Sequence, residues 1–143
     1  MTVAPYPIRF EPFFRDYIWG GRGLADRLRK PIPESGTWAE SWEVVDHSEH
    51  NSRVLNGALA GKTLGELVRT MSDWLCGSQS FAEGFPLLLK YLDCRRVLSV
   101  QVHPDDNYAL QMNPPDLGKT EAWYIVDAEP DAVIYAGLKP GVD

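Results

Sequence analysis

The sequence predicts a mainly β fold, an antiparallel sandwich or barrel with one or two short helices. Eleven prolines and twelve glycines are spread along the 143 residues, as is typical of many short segments joined by turns. Strand-like runs follow one another without an amphipathic helix between them, at 85–92, 97–103, 121–126 and 132–136. Parallel strands would need such helices as connections. We therefore expect antiparallel sheets within a single domain, residues 1–143.

The first half of the chain carries the helix signals. Leu24 and Leu28 lie one helical turn apart within 22–29, and the prolines that follow prevent a long continuation, so one short helix is expected there. The clearest signal begins at Thr63, which forms a predicted capping box with Glu66. The apolar residues that follow have helical spacing and are Leu64, Leu67, Val68, Met71 and Leu75.

Two further segments combine aromatic residues with turn or acidic residues. Gly20 and Gly21 follow Trp19, and glycines at such a place allow the backbone to approach another segment closely. Residues 38–45 alternate acids with large aromatics. This pattern indicates either a strand that lines a polar cavity or a surface strand with solvated glutamates. The segment alone leaves both interpretations open.

Charge and composition disfavour several classes of partner. The formal net charge is -6 and the isoelectric point is near 5.0, which disfavours nucleic acid and anionic membrane as partners. No apolar run approaches the roughly 20 residues of a spanning helix, and the first residues do not resemble a signal peptide, so a cytoplasmic protein is expected. Cys76 and Cys94 are far apart, which indicates neither a disulfide framework nor a thiolate zinc site.

Polar residues at period-two spacing mark the region where chemistry is expected. In a strand, Ser99, Gln101 and His103 share one face, as do Lys119, Glu121 and Trp123 in the next segment. If these faces meet inside a barrel, the amide of Gln101, the imidazole of His103 and the carboxylate of Glu121 form a nitrogen and oxygen set that zinc accepts. The alternative is that His103 is a turn residue before Pro104 and that Gln101 is solvated. Spacing alone does not decide between them.

The motifs that contain these residues resemble those of the type I mannose-6-phosphate isomerases. The matching segments span nearly the whole chain and are 17–21, 39–43, 85–90, 98–106 and 118–124. The resemblance implies a cupin-like β fold that interconverts mannose 6-phosphate and fructose 6-phosphate at Zn2+. It implies that the zinc ligands are Gln101, His103 and Glu121, that the sugar-phosphate pocket is lined by Trp19, Ser99 and Lys119, and that Lys119 and Ser99 take part in catalysis. Whether Lys119 assists electrostatically or binds the phosphate stays open, and a cupin iron oxygenase would more often use two histidines with a carboxylate.

The chain also departs from that family, whose members are longer and carry a fourth ligand, a histidine, and a catalytic arginine further downstream. We expect a fragment of a longer isomerase, a half that needs a partner, or a short protein without catalysis. An incomplete cupin would leave a sheet edge unpaired, so a homodimer or a complementary C-terminal half is the expected partner. A non-catalytic cupin module that binds a metal or a sugar phosphate is the alternative function.

Overall fold

Antiparallel sheets and a few short helices make up the regular structure, which confirms the predicted mainly β class. The computed structural model describes residues 3–47, 49–79, 81 and 84–141. They fall into two compact units, Met1–Ser99 and Val100–Asp143, each described by itself below. The elements in chain order are β1 (Phe13–Arg15), α1 (Gly23–Asp26), β2 (Glu40–Val44), β3 (Asp46–His47), β4 (His50–Asn51), a 3-10 turn (Gly57–Leu59), α2 (Leu64–Thr70), α3 (Ser72–Cys76), β5 (Leu89–Leu92) and α4 (Asp106–Ala109).

The central strand of the first unit is β2, which pairs with β1 on one side and with β5 on the other. Both pairings are antiparallel, and Trp42 lies opposite Phe13 in β1 and opposite Lys90 in β5. A bulge between Trp42 and Val44 shifts the register towards β5. The strands predicted in 38–45 and 85–92 are therefore confirmed over their β2 and β5 portions. The short strands β3 and β4 form a separate two-stranded sheet.

A close approach of two backbone segments explains the glycines after Trp19. Gly21 and Trp38 form an isolated antiparallel bridge, with the Trp38 N–H donating to the Gly21 carbonyl at 2.9 Å. Gly20 is buried, and a Cβ atom there would lie 2.6 Å from the backbone nitrogen of Ala39. No real side chain tolerates that separation, so the crossing requires glycine at position 20.

The helix predicted from Thr63 onward is confirmed, but it is divided in two. The side chain of Thr63 accepts the N–H of Glu66, and the Glu66 carboxylate accepts the N–H of Thr63, which forms the predicted capping box. Backbone angles of φ -142° and ψ 37° at Met71 end α2 and precede α3. The buried face of α2 includes Leu67, which packs with Val54 and Leu59 in the core.

The N-terminal segment covers this core through aromatic side chains. The Tyr6 hydroxyl accepts the N–H of Leu59 at 3.0 Å and donates to the Asn56 carbonyl at 3.0 Å. Its ring meets the edge of Trp74, whose indole N–H donates to the Val3 carbonyl at 2.8 Å. The segment is thus held by hydrogen bonds as well as by apolar contact.

Three predicted strands do not form. Residues 97–103, 121–126 and 132–136 contain no strand, although all of them are described, whereas the short helix expected in 22–29 is present as α1. The described residues contain four short α-helices and a 3-10 turn, which is more helix than the one or two expected. A strand needs a partner ladder and a covered face, and here Val100, Val102 and Tyr124 are 95%, 89% and 89% exposed. No helix in the described ranges is long and apolar enough to cross a membrane.

Replacing Gly57 with alanine should destabilise the first unit more than the same change at Gly61. Both glycines have positive φ, +67° and +87°, so both variants carry the strain of a left-handed backbone. A Cβ atom at position 57 would also lie 2.5 Å from the Tyr6 ring, whereas no atom lies within 4 Å of one at position 61. We expect Gly57→Ala to lower the free energy of unfolding by about 1–3 kcal/mol more than Gly61→Ala, as for other overpacked sites. Equal losses in urea titrations would contradict the contact with Tyr6.

The capping box should make stability depend on acid pH. The hydrogen bond from the Thr63 N–H, followed by that from its hydroxyl, lowers the pKa of Glu66 below its ordinary value of 4.5. A lowered folded-state pKa stabilises the fold above the unfolded-state pKa, and this contribution is lost as the pH falls through the folded-state pKa. Glu66→Gln keeps an acceptor for the cap but cannot ionise. The difference in unfolding free energy between the parent chain and this variant should therefore shrink as the pH falls from 6 to 3, and a difference that stays constant would refute the linkage.

Candidate functional site

Backbone hydrogen bonds in the second unit bring together two segments that carry predicted site residues. The short helix α4 begins after Asp105, whose side chain accepts the N–H of Tyr108 at 2.7 Å. Ala109 is completely buried, and its carbonyl accepts the N–H of Asp116. The N–H of Lys119 donates to the carbonyl of Pro104 at 3.0 Å. Lys119 therefore lies beside the residue that follows His103.

Two of the predicted site residues, Lys119 and His103, converge on the carboxylate of a third, Glu121. Lys119 Nζ lies 2.8 Å from Glu121 Oε2, and His103 Nε2 lies 3.4 Å from the same oxygen. The side chains of His103 and Glu121 are 26% and 21% exposed, and that of Lys119 is 40% exposed. The site is thus open to solvent on its lysine side and more enclosed on its imidazole side.

The opposite oxygen of the same carboxylate is held by an aromatic side chain. The indole N–H of Trp123 donates to Glu121 Oε1. The period-two pattern predicts that Lys119, Glu121 and Trp123 share a face. Their contacts with Glu121 agree with this, even though the segment is not paired as a strand.

The other predicted site residues are Gln101, Ser99 and Trp19. Gln101 is exposed in the second unit, two residues before His103. Ser99 is exposed at the end of the first unit, and Trp19 is half-buried in that unit, where its ring stacks on Tyr17 at 5.7 Å. The roles of Trp19, Ser99 and Gln101 stay predictions.

The donor atoms that come together suit zinc. Two ligands of a tetrahedral zinc ion, each bonded at roughly 2.0–2.2 Å, lie about 3.4 Å from one another. His103 Nε2 and Glu121 Oε2 have a separation of 3.4 Å. Within the described ranges, no group of three or more His, Cys, Asp or Glu side chains is placed to hold a metal. Of the three predicted ligands, only His103 and Glu121 belong to these four residue types. The third, Gln101, would bind through a neutral amide.

The first unit contains a buried charged pair that we did not single out from the sequence. Glu40 is 7% exposed, and its carboxylate accepts from the Trp42 indole at 2.5 Å and from Lys90 Nζ at 3.2 Å. On the other face of β2, Glu43 pairs with Lys30 at 2.6 Å. The glutamates of 38–45 are therefore paired rather than solvated. The lysine within the apolar run 86–92 was the signal in the sequence, because a lone charge in such a run requires a partner.

The fold is similar to part of a sugar-phosphate isomerase of known structure. The mannose 6-phosphate isomerase from Bacillus subtilis superposes with a TM-score of 0.78 and 42% identity, over 86% of this chain and 38% of that one. This similarity confirms the predicted cupin-like, antiparallel fold class.

The chain belongs to the type I phosphomannose isomerase family, whose catalytic-domain model matches residues 8–132. Among curated proteins, the Bacillus subtilis mannose-6-phosphate isomerase ManA is 44% identical over 92% of this chain and 40% of its own length. The probable mannose-6-phosphate isomerase GmuF of the same organism is 44% identical over 92% of this chain and 41% of its own length. The chain thus spans about two fifths of the length of these relatives.

Replacing Gly118 with alanine should separate the two segments of the site. A Cβ atom at position 118 would lie 2.6 Å from the backbone nitrogen of Asp106 and 2.9 Å from the carbonyl carbon of Asp105. Because these are backbone atoms, the chain itself must move, and the hydrogen bond from Lys119 to Pro104 is adjacent. The Lys119 amide should lose protection against hydrogen exchange in this variant. We expect its exchange rate to rise at least tenfold, which corresponds to a loss of about 1.4 kcal/mol in the free energy of local opening.

The matched control for this variant is Gly137→Ala in the same unit. A Cβ atom at position 137 has no atom within 4 Å, although its φ of +76° also disfavours alanine. An exchange rate at Lys119 that rises equally in both variants would show that close packing at Gly118 does not hold the segments together.

Proposed function

We propose that this chain contributes the Gln101, His103 and Glu121 side of a zinc site in a cytoplasmic enzyme that interconverts mannose 6-phosphate and fructose 6-phosphate. The observation that carries the proposal is the convergence of His103 Nε2 and Lys119 Nζ on Glu121 Oε2, at 3.4 and 2.8 Å. Membership of the phosphomannose isomerase family supports the substrate and the reaction. The zinc ion, when bound, would supply a redox-inert positive centre that polarises the sugar oxygens.

The chemistry of the reaction explains the residue types. An aldose becomes a ketose when a proton moves between C1 and C2 of the opened sugar, and negative charge develops on oxygen during that transfer. Positive groups that face this oxygen stabilise the transition state more than the ground state. His103 and Glu121 would hold the metal, and the partly exposed ammonium of Lys119 would face the anionic substrate.

Lys119 can act in either of two ways. If it binds the phosphate, its loss raises KM and leaves kcat nearly unchanged, because the phosphate contact is the same in ground and transition states. If it stabilises the developing charge, its loss lowers kcat. We assign substrate contacts to Ser99 and Trp19 on the family resemblance, Ser99 as a hydrogen-bonding group and Trp19 as a wall of the pocket.

The site is expected to be completed by further polypeptide. The relatives that carry this activity in their names are longer than the matched region, and this chain spans about two fifths of them. Exposed apolar side chains in the second unit, Val100, Val102 and Tyr124 among them, offer a surface for such a segment. We propose that the completing segment corresponds to the rest of the family architecture, with a second copy of this chain as the alternative.

A non-catalytic module that binds a metal or a sugar phosphate is the second candidate function. The observation in its favour is that the described residues bring only one histidine and one carboxylate together at the predicted site. Such a module would bind zinc or the sugar phosphate without turnover.

Zinc binding and isomerase turnover of the 143-residue chain test the proposal. We expect about one equivalent of bound zinc, and His103→Ala should weaken binding at least tenfold because one ligand of a small set is lost. His47→Ala is the matched control, since His47 is exposed in the β3 and β4 sheet. Turnover that appears only when the remaining part of ManA is added would support completion in trans. Zinc binding without turnover in either case would favour the non-catalytic module, and no zinc binding by the parent chain would refute the metal site.

A further inference from the structure

A glutamate followed two residues later by tryptophan occurs twice in the chain, and both copies make the same contacts. At Glu40, the Trp42 indole donates to Oε2 at 2.5 Å and Lys90 pairs with Oε1 at 3.2 Å. At Glu121, the Trp123 indole donates to Oε1 and Lys119 pairs with Oε2 at 2.8 Å. In each copy an indole holds one carboxylate oxygen and an ammonium holds the other.

Simple chemistry explains the recurrence. Residues two apart in extended backbone project to the same side, so the indole reaches the carboxylate without a turn. The indole has a single N–H donor and no acceptor, so it binds one oxygen only. Its ring is rigid and has few rotamers, so the hydrogen bond also limits rotation of the carboxylate. A glutamate held in this way presents a defined oxygen to its other neighbours.

We propose that Trp123 is a positioning residue that makes Glu121 a one-oxygen metal ligand. The indole occupies Oε1, whereas Oε2 lies 3.4 Å from His103 Nε2 and pairs with Lys119 Nζ at 2.8 Å. A metal that binds between His103 and Glu121 would therefore bond to Oε2 and displace the ammonium from it. Hydrogen bonds to a ligating carboxylate orient it and affect metal affinity. This inference rests on the proposed zinc site, and it adds a residue whose side chain does not itself touch the metal.

The second copy provides the control. Glu40 is 7% exposed and has the same pair of partners, and neither it nor Trp42 is among the predicted zinc ligands. Trp123 is 47% exposed, so its replacement by phenylalanine leaves no enclosed cavity. The pair Trp123→Phe and Trp42→Phe therefore compares loss of the same donor at two carboxylates.

The test measures the zinc dissociation constant of the 143-residue chain by competition with a chromophoric chelator. We expect Trp123→Phe to weaken zinc binding roughly 10- to 100-fold, as for other residues that orient metal ligands. Trp42→Phe should leave the dissociation constant unchanged within about twofold. Benzothienylalanine at position 123 has the shape of tryptophan without the N–H, and it should reproduce the loss. The indole 1H–15N resonance of Trp123 should shift when zinc is added, which a merely structural role would not produce.

The outcomes separate this inference from the proposed function. If the parent chain binds zinc and Trp123→Phe binds it equally well, the positioning role is overturned while the zinc site stands. If the benzothienylalanine variant binds like the parent chain, shape rather than the hydrogen bond matters, and the inference is also overturned. If the parent chain binds no zinc, the proposed site fails, and the role of Trp123 at that site fails with it.

Discussion

The first unit depends on a buried carboxylate, that of Glu40. Glu40 lies in the central strand and is 7% exposed, and an ionised group in such a place costs several kcal/mol unless it is paired. Lys90 in β5 and the Trp42 indole provide the partners, so pairing of β5 with β2 both builds the sheet and satisfies the charge. Asp93, which is half-buried, also links distant segments, because its carboxylate accepts the N–H of Gly23 at 2.6 Å. Charge satisfaction thus connects segments that are distant in the chain.

The spacing of apolar and polar residues predicted strands and helices well in segments that pair or pack with another segment. The alternation in 38–45 predicted β2, and the capping residues Thr63 and Glu66 predicted the start of α2. The same kind of alternation predicted strands in 97–103, 121–126 and 132–136, which do not form. Alternation specifies which side chains share a face, but it contains no information about which segment will supply the hydrogen bonds of the ladder. The apolar residues there accordingly lie exposed, Val100 at 95%.

Within the site, the part that followed from the sequence is the shared face. Lys119 and Trp123 both contact Glu121, as period-two spacing predicts. The proximity of His103 to Glu121 has another origin, the hydrogen bond from Lys119 to Pro104 and the close packing at Gly118. Such contacts between segments cannot be read from spacing. The Glu40 and Lys90 pair was missed for a similar reason, because 50 residues separate its members.

Gly20 limits which substitutions this chain tolerates. The backbone of Ala39 would lie 2.6 Å from a Cβ atom at position 20, so even the smallest side chain is excluded by atoms that no substitution elsewhere can remove. Compensating changes in neighbouring side chains are therefore of no use at this position, unlike at most core positions. Saturation libraries at this position should retain glycine alone, and a design that transfers residues 17–21 to another sheet must keep the glycine.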